Sequence, residues 1–263
     1  QTQETANILP IKYRETGTGP VVILVHGWLV SGQVWNRLLP LLEGFHVIVP
    51  DLRGSGASAA LASGSVTLAD HVADLAALVE ALGVRDAHLV GHSMGGQLAT
   101  MLAARLSNRF RTLTLMNPVP VHGLAFPEAL QLLFRNCGGN TEHIRQIIDM
   151  SCLRADAAAK ADMLDDALRT PAEVVSTGFE AFRRGDTAFS PDTLDVPATV
   201  VATDDAFLPA AFLQQAIVDA LHIEHRLTAL PVNLPGERVQ RQTQSTTVDK
   251  LAAADGRSLE THG

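Results

Sequence analysis

The run Gly91-His92-Ser93-Met94-Gly95 constrains this chain more than any other feature, because of what stands on either side of it. Before it, Ala87–Val90 is a short apolar stretch of the kind that forms a buried strand. After it, from Gly95 to about Leu106, small residues predict a helix. A strand that passes into a helix through one sharp turn forces the residue at its tip into a strained backbone, and only small neighbours leave it room. Gly91 and Gly95 supply that room. The tip residue is a serine, with the positive end of the following helix directed at it. A glycine-rich turn carrying a solvated serine is the plainer reading; the strand and helix on both sides favour the strained one.

The rest of the first half alternates in the same way. Val21–Val25 and Val47–Val49 are β-branched runs that suit buried parallel strands, and Thr112–Met116 is another. Between them, Thr67 is placed to cap a helix running to about Leu82, in which Leu68, Val72, Leu75, Leu78, Val79 and Leu82 share one face, and Gly83 stops it. Strand–helix–strand alternation predicts a mostly parallel central sheet flanked by helices, an α/β fold. The alternation pauses at about residue 120. From 121 to 189 the pattern is helical, and strands return at Ala198–Ala202 and Arg226–Leu230. The expected organisation is a core of residues 1–120 and 190–230, an inserted helical cap of 121–189, and an atypical tail of 231–263.

With these features in place, the chain resembles the α/β-hydrolase superfamily over roughly residues 10–230. His26-Gly27-Trp28 is similar to that family's oxyanion loop, and Pro50-Asp51-Leu52-Arg53-Gly54-Ser55-Gly56 to its turn after the next strand. Gly91 to Gly95 is similar to its nucleophile elbow. Ala202, Asp205 and Pro209 fit the spacing of its acid loop, which favours Asp205 over Asp204. The resemblance implies Ser93 as nucleophile, Asp205 as the acid, and the backbone N–H groups of Trp28 and Met94 as the oxyanion hole. Within this frame His26 reads as a loop-packing residue and His92 as a structural one.

The pattern breaks at the base. A serine hydroxyl needs a neighbouring base to take its proton, and in the family that base is a histidine after the last strand. Here Pro231 to Glu237 holds none. His222 and His225 start the last strand, about 17–20 Å from its other end, and read as surface residues. His122 reads as a hinge residue, and His262 lies in the tail; these two are the weak candidates for a replacement base. Val248-Asp249-Lys250-Leu251-Ala252-Ala253-Ala254 resembles polylinker-encoded sequence, which suggests a tail altered by a frameshift or vector-derived. An uninterrupted genomic reading frame through Gly263 would overturn that reading.

Composition excludes several function classes. Lys and Arg number 20 against 28 Asp and Glu, for a net charge of −8, and they form no basic run, so nucleic acid is not an expected partner. No apolar run reaches the length of a membrane span, and Gln1–Asn7 is polar, so no membrane association and a cytoplasmic location are expected. Cys137 and Cys152 form no CxxC pair and read as reduced thiols; no metal and no cofactor are expected. Gly54 and Gly56 lack the following Gly-Lys-Ser/Thr of a phosphate loop. Leu130, Leu133 and Phe134, with Phe179, Phe182 and Phe189, give the insertion an apolar character that suits a small, apolar ester. Arg183-Arg184 reads as a solvated helix end.

The expected function is a serine hydrolase acting on small carboxylic esters. The alternatives are a catalytically impaired or non-catalytic apolar-ligand-binding member, or a lactonase, C–C hydrolase, perhydrolase or cofactor-free dioxygenase. Haloalkane dehalogenases of this fold carry Asp where Ser93 stands.

Overall fold

The computed structural model describes residues 9–229 except Ser63, Asp204, Ala206, His222, Glu224, His225 and Arg226. The expected tail, with His262, lies outside the described residues, as do His222 and His225.

Seven strands form one sheet: β1 (Tyr13–Thr16), β2 (Val21–Val25), β3 (His46–Pro50), β4 (Ala87–His92), β5 (Phe110–Met116), β6 (Ala198–Ala202) and β7 (Leu227–Ala229). Their spatial order is β1-β3-β2-β4-β5-β6-β7, and every pairing is parallel except that of β1 with β3. The sheet is mostly parallel, as the alternation predicts. β2 shows why it is buried on both faces: Ile23 and Val25 join the larger apolar cluster, while Val22 and Leu24 join a second cluster around Trp35 on the other side.

Helix α1 (Leu68–Ala81) crosses from β3 to β4, and α2 (Met94–Arg105) from β4 to β5. Thr67 caps α1: its hydroxyl accepts from the Asp70 N–H while the Asp70 carboxylate accepts from the Thr67 N–H, closing a capping box. Thr67→Ala is expected to cost about 1 kcal/mol of stability, read as a lower midpoint in urea; an unchanged midpoint would mean the box is immaterial. In α2, Leu98, Ala99, Leu102 and Ala103 are fully buried, and the small members let the helix lie close on β4 and β5.

Because β3 lies on one side of β2 and β4 on the other, the chain changes direction between β2 and β4. In open α/β sheets the crevice at such a switch point, outside the carboxyl ends of the strands, is where sites form. The turns that leave β2 and β4 meet there.

Four helices stand between β5 and β6: α3 (Glu128–Arg135), α4 (Thr141–Ser151), α5 (Ala157–Arg169) and α6 (Ala172–Arg184). The segments leading into and out of this insertion are bonded to each other. Asp186 N–H donates to Val121 O at 2.8 Å and Leu124 N–H to Arg183 O at 2.9 Å. They approach so closely that a Cβ on Gly123 would lie 2.3 Å from Arg183 O, and one on Gly185 2.2 Å from Gly123 N; both glycines have positive φ. Gln97 of α2 fixes this joint to the core, its amide donating to Pro120 O at 2.8 Å and to Phe182 O at 3.1 Å.

Candidate active site

Ser93 follows β4 directly and precedes α2, with φ 55° and ψ −123°, a region that side chains rarely adopt. The strain is held from both sides. Ser93 N–H donates to Met116 O at 3.1 Å, and Ser93 O accepts from Gly96, Gln97 and Val119 N–H groups. A Cβ on Gly91 would lie 2.3 Å from Gly95 O, and one on Gly95 2.3 Å from Val25 O and 2.4 Å from His26 O. The two glycines are therefore required by close backbone approach.

The turn after β2 passes over Ser93: a Cβ on Gly27 would lie 3.1 Å from Ser93 Cβ. That turn contains Leu29 in the left-handed region, at φ 69°. His26, fully buried, secures it. Its Nδ1 lies 2.8 Å from Gly27 O and its Nε2 3.0 Å from the Leu52 N–H. A carbonyl only accepts and an N–H only donates, so the ring is the neutral Nδ1–H tautomer. Burial pushes the His26 pKa down. Both ring nitrogens are occupied in holding loops together.

Asp51 ties the same turn to the one after β3. Its carboxylate accepts from Gly32 N–H at 2.7 Å and Ala57 N–H at 2.8 Å. The Gly54–Gly56 turn thus encloses the protein's own carboxylate. His92 points to the Trp35 side of the sheet, with its ring edge-on at 6.4 Å. Burial lowers its pKa, against the opposing charge of Asp205.

Asp205 stands just past the end of β6, and its Oδ1 accepts from the N–H groups of Phe207 at 2.7 Å and Leu208 at 2.9 Å. Asn117 braces this loop from β5: its Oδ1 accepts from both Thr203 N–H and Thr203 Oγ1–H at 3.0 Å. Asn117 itself has φ 41° and is buried, with its Nδ2 unpartnered among the described residues. Asn117, one residue past the end of β5, was not among the residues singled out from the sequence. The tolerance of Asn for positive φ is the one signal that could have found it.

The structure gathers Ser93, Met94, Trp28 and Asp205 at the carboxyl ends of β2, β4 and β6. His122 makes its contacts elsewhere. It is exposed in the joint of the insertion, with Nδ1 3.1 Å from Asp186 O and its ring against Phe189. Among the described residues no histidine is hydrogen-bonded to Ser93 or Asp205, and no group of His, Cys, Asp or Glu could hold a metal ion.

Over the site lies an aromatic cluster. Trp28 stacks on Phe134 at 5.4 Å, Phe179 and Phe182 flank it, and Phe126 joins them to Phe207 of the acid loop. Arg183 is less solvated than expected of a helix end, since it bonds the Glu180 carboxylate, which Arg135 also engages; Arg184 reaches the same carboxylate but is exposed, as expected. Both cysteines are free, and burial pushes the Cys137 thiol up to about 12.

Residues 20–147 match the family model described as alpha/beta hydrolase fold. The magnesium-chelatase 30 kDa subunit of Rhodobacter capsulatus is 30% identical over 245 residues, spanning 80% of this chain and 83% of that protein. The chain belongs to the α/β-hydrolase family. The bromoperoxidase of Bacillus anthracis has the same fold, with a TM-score of 0.74 at 21% identity over 83% of this chain and 86% of that one. A bifunctional esterase/perhydrolase of Acinetobacter calcoaceticus is 40% identical over 109 residues, 40% of this chain and 39% of that protein. The chain likewise spans less than half the length of a haloalkane dehalogenase and an epoxide hydrolase that it matches. No helix among the described residues is long and apolar enough to cross a membrane.

Proposed function

We propose that this α/β-hydrolase-fold chain is a serine hydrolase that cleaves small, apolar carboxylic esters through an acyl-enzyme on Ser93. The observation that carries the reading is the Ser93 backbone, held at φ 55° at the start of α2 and facing the Gly27–Trp28 turn. Strain of this kind persists only where surrounding structure over-determines it. In the proposed reaction Ser93 Oγ attacks the acyl carbon, and the N–H groups of Met94 and Trp28 receive the oxyanion. One such donor is worth about 3–4 kcal/mol. Asp205 is the acid that would orient an imidazole. The insertion, residues 121–189, is the cap over a core of 1–120 and 190–230, and its aromatic lining favours apolar groups. Relatives named as an esterase/perhydrolase, a dehalogenase and an epoxide hydrolase support hydrolase chemistry.

A second reading is favoured by a specific observation. A relative matched over most of its own length is named as a subunit of a magnesium chelatase, not as an esterase, and no described histidine is bonded to Ser93. This reading makes the chain a binding member of the fold, without turnover.

Hydrolysis of a short-chain p-nitrophenyl ester, measured beside Ser93→Ala, tests both. Turnover above background that the substitution abolishes is the expected result. An oxyanion hole and binding alone retain about 10³–10⁴-fold over water, so the variant comparison decides, not the bare rate. Equal rates for the two proteins would overturn the esterase reading and leave the binding one.

A further inference from the structure

We infer that the Trp28 side chain is a positioning device, through which the insertion sets the loop that presents the Trp28 amide to Ser93. This rests on the esterase reading for its kinetic consequence, but its geometry stands independently of it.

The backbone and side chain of Trp28 face different parts of the protein. The backbone belongs to the turn after β2, beside Ser93. The indole reaches into the insertion, where Nε1–H donates to Val175 O at 2.9 Å. Val175 lies within α6, so its carbonyl serves the helix ladder and accepts the indole with its second lone pair. The ring is fixed in the other directions by Phe134, stacked at 5.4 Å with an interplanar angle of 8°, and by Phe179 and Phe182. Gly178, also on α6, makes room for it: a Cβ there would stand 3.3 Å from Trp28 Cδ1.

The turn needs such a hold. Leu29, the next residue, carries φ 69°, a conformation of real cost for a leucine. His26 pins the turn on its core side through the Leu52 N–H. Trp28 pins it on the insertion side. With both pins in place the Trp28 N–H has one direction. With the second removed, the strained residue can relax and carry the amide away from the oxyanion position, at which a misplacement of about 1 Å costs on the order of 10²-fold.

Trp28→Phe deletes the donor and keeps an aromatic ring against Phe134. The expected result is faster hydrogen exchange at the Trp28 and Leu29 amides than in the parent. It is accompanied by a kcat for the short ester lowered about tenfold, with KM within twofold. Phe134→Leu, which keeps the indole bond and loses the stack, is expected to give a smaller change in the same direction. Unchanged exchange at these amides in both variants overturns the inference. So does a raised KM at intact kcat, which would make Trp28 only a wall of the pocket. If neither parent nor variant hydrolyses the ester, the esterase reading fails, while the exchange rates still decide whether the insertion holds the loop.

Discussion

Gly95→Ala is expected to remove about 4 kcal/mol or more of stability, and with it the fold of the site. An added methyl would stand 2.3 Å from Val25 O and 2.4 Å from His26 O, and neither atom can retreat. Val25 is held in register against Gly91 in the sheet, and His26 is fixed by the Leu52 N–H and Gly27 O. Relief would require α2 to lift from the sheet, uncovering Leu98 and Leu102, which are fully buried. Overpacking where backbone meets backbone belongs to the short list of causes of losses this large. Gly83→Ala is the control. Unlike Gly95 it has positive φ, at 62°, but it opens onto empty space, so its expected cost, from backbone conformation alone, is about 1 kcal/mol. Urea unfolding followed by circular dichroism compares them; equal midpoints would show that the contact at Gly95 is not what holds the elbow.

Acid is expected to destabilise the protein well above the carboxylate range. His71 of α1 is buried with its Nδ1 unpartnered among the described residues, and desolvation brings its pKa down to about 4. The folded pKa lies below the unfolded value of about 6.5, so the unfolded chain binds the extra proton first. Stability is fully present above about pH 6.5, falls as the pH drops, and loses roughly 3 kcal/mol by pH 4 from this group alone. The buried rings of His26 and His92 shift in the same direction and steepen the loss. Denaturation midpoints taken between pH 7.5 and 4.5 should fall for the parent and fall less for His71→Leu. Parallel pH slopes for the two proteins would rule out His71 as a source of the acid sensitivity.

What could be read in the sequence follows the range over which each feature is encoded. Thr67 and Asp70 sit three residues apart, and α1 begins where they say it does. The elbow is five consecutive residues between a strand and a helix, and its strain was legible from Gly91 and Gly95. β1 was not anticipated. Tyr13–Thr16 is short, mostly exposed and lies at the edge of the sheet, so it carries no apolar run. His71 gave no signal, since its place on the apolar face of α1 says nothing about an unmet ring nitrogen. Phe134, Phe179 and Phe182 were expected to make the insertion apolar, yet the bond between Trp28 and Val175 crosses 147 positions of chain, and no local pattern encodes it. The same holds for Asn117, which reaches Thr203 over 86 positions. The base presents a different case: of the two weak candidates, His262 lies outside the described residues and His122 lies in the joint, while His222 and His225, read as surface residues, also lie outside the described ones.

The paired joint at Gly123 and Gly185 gives the insertion the character of a cassette. Its two ends leave the core side by side and are stitched to each other. A different set of helices must close the same seam, offer the Trp28 indole an acceptor, and supply again the bonds that Phe182 and Asp166 make with Gln97 and with the Ser31 N–H. On the proposed reading, in which the insertion caps Ser93, the chamber is the part of the protein open to redesign while the elbow stays unaltered.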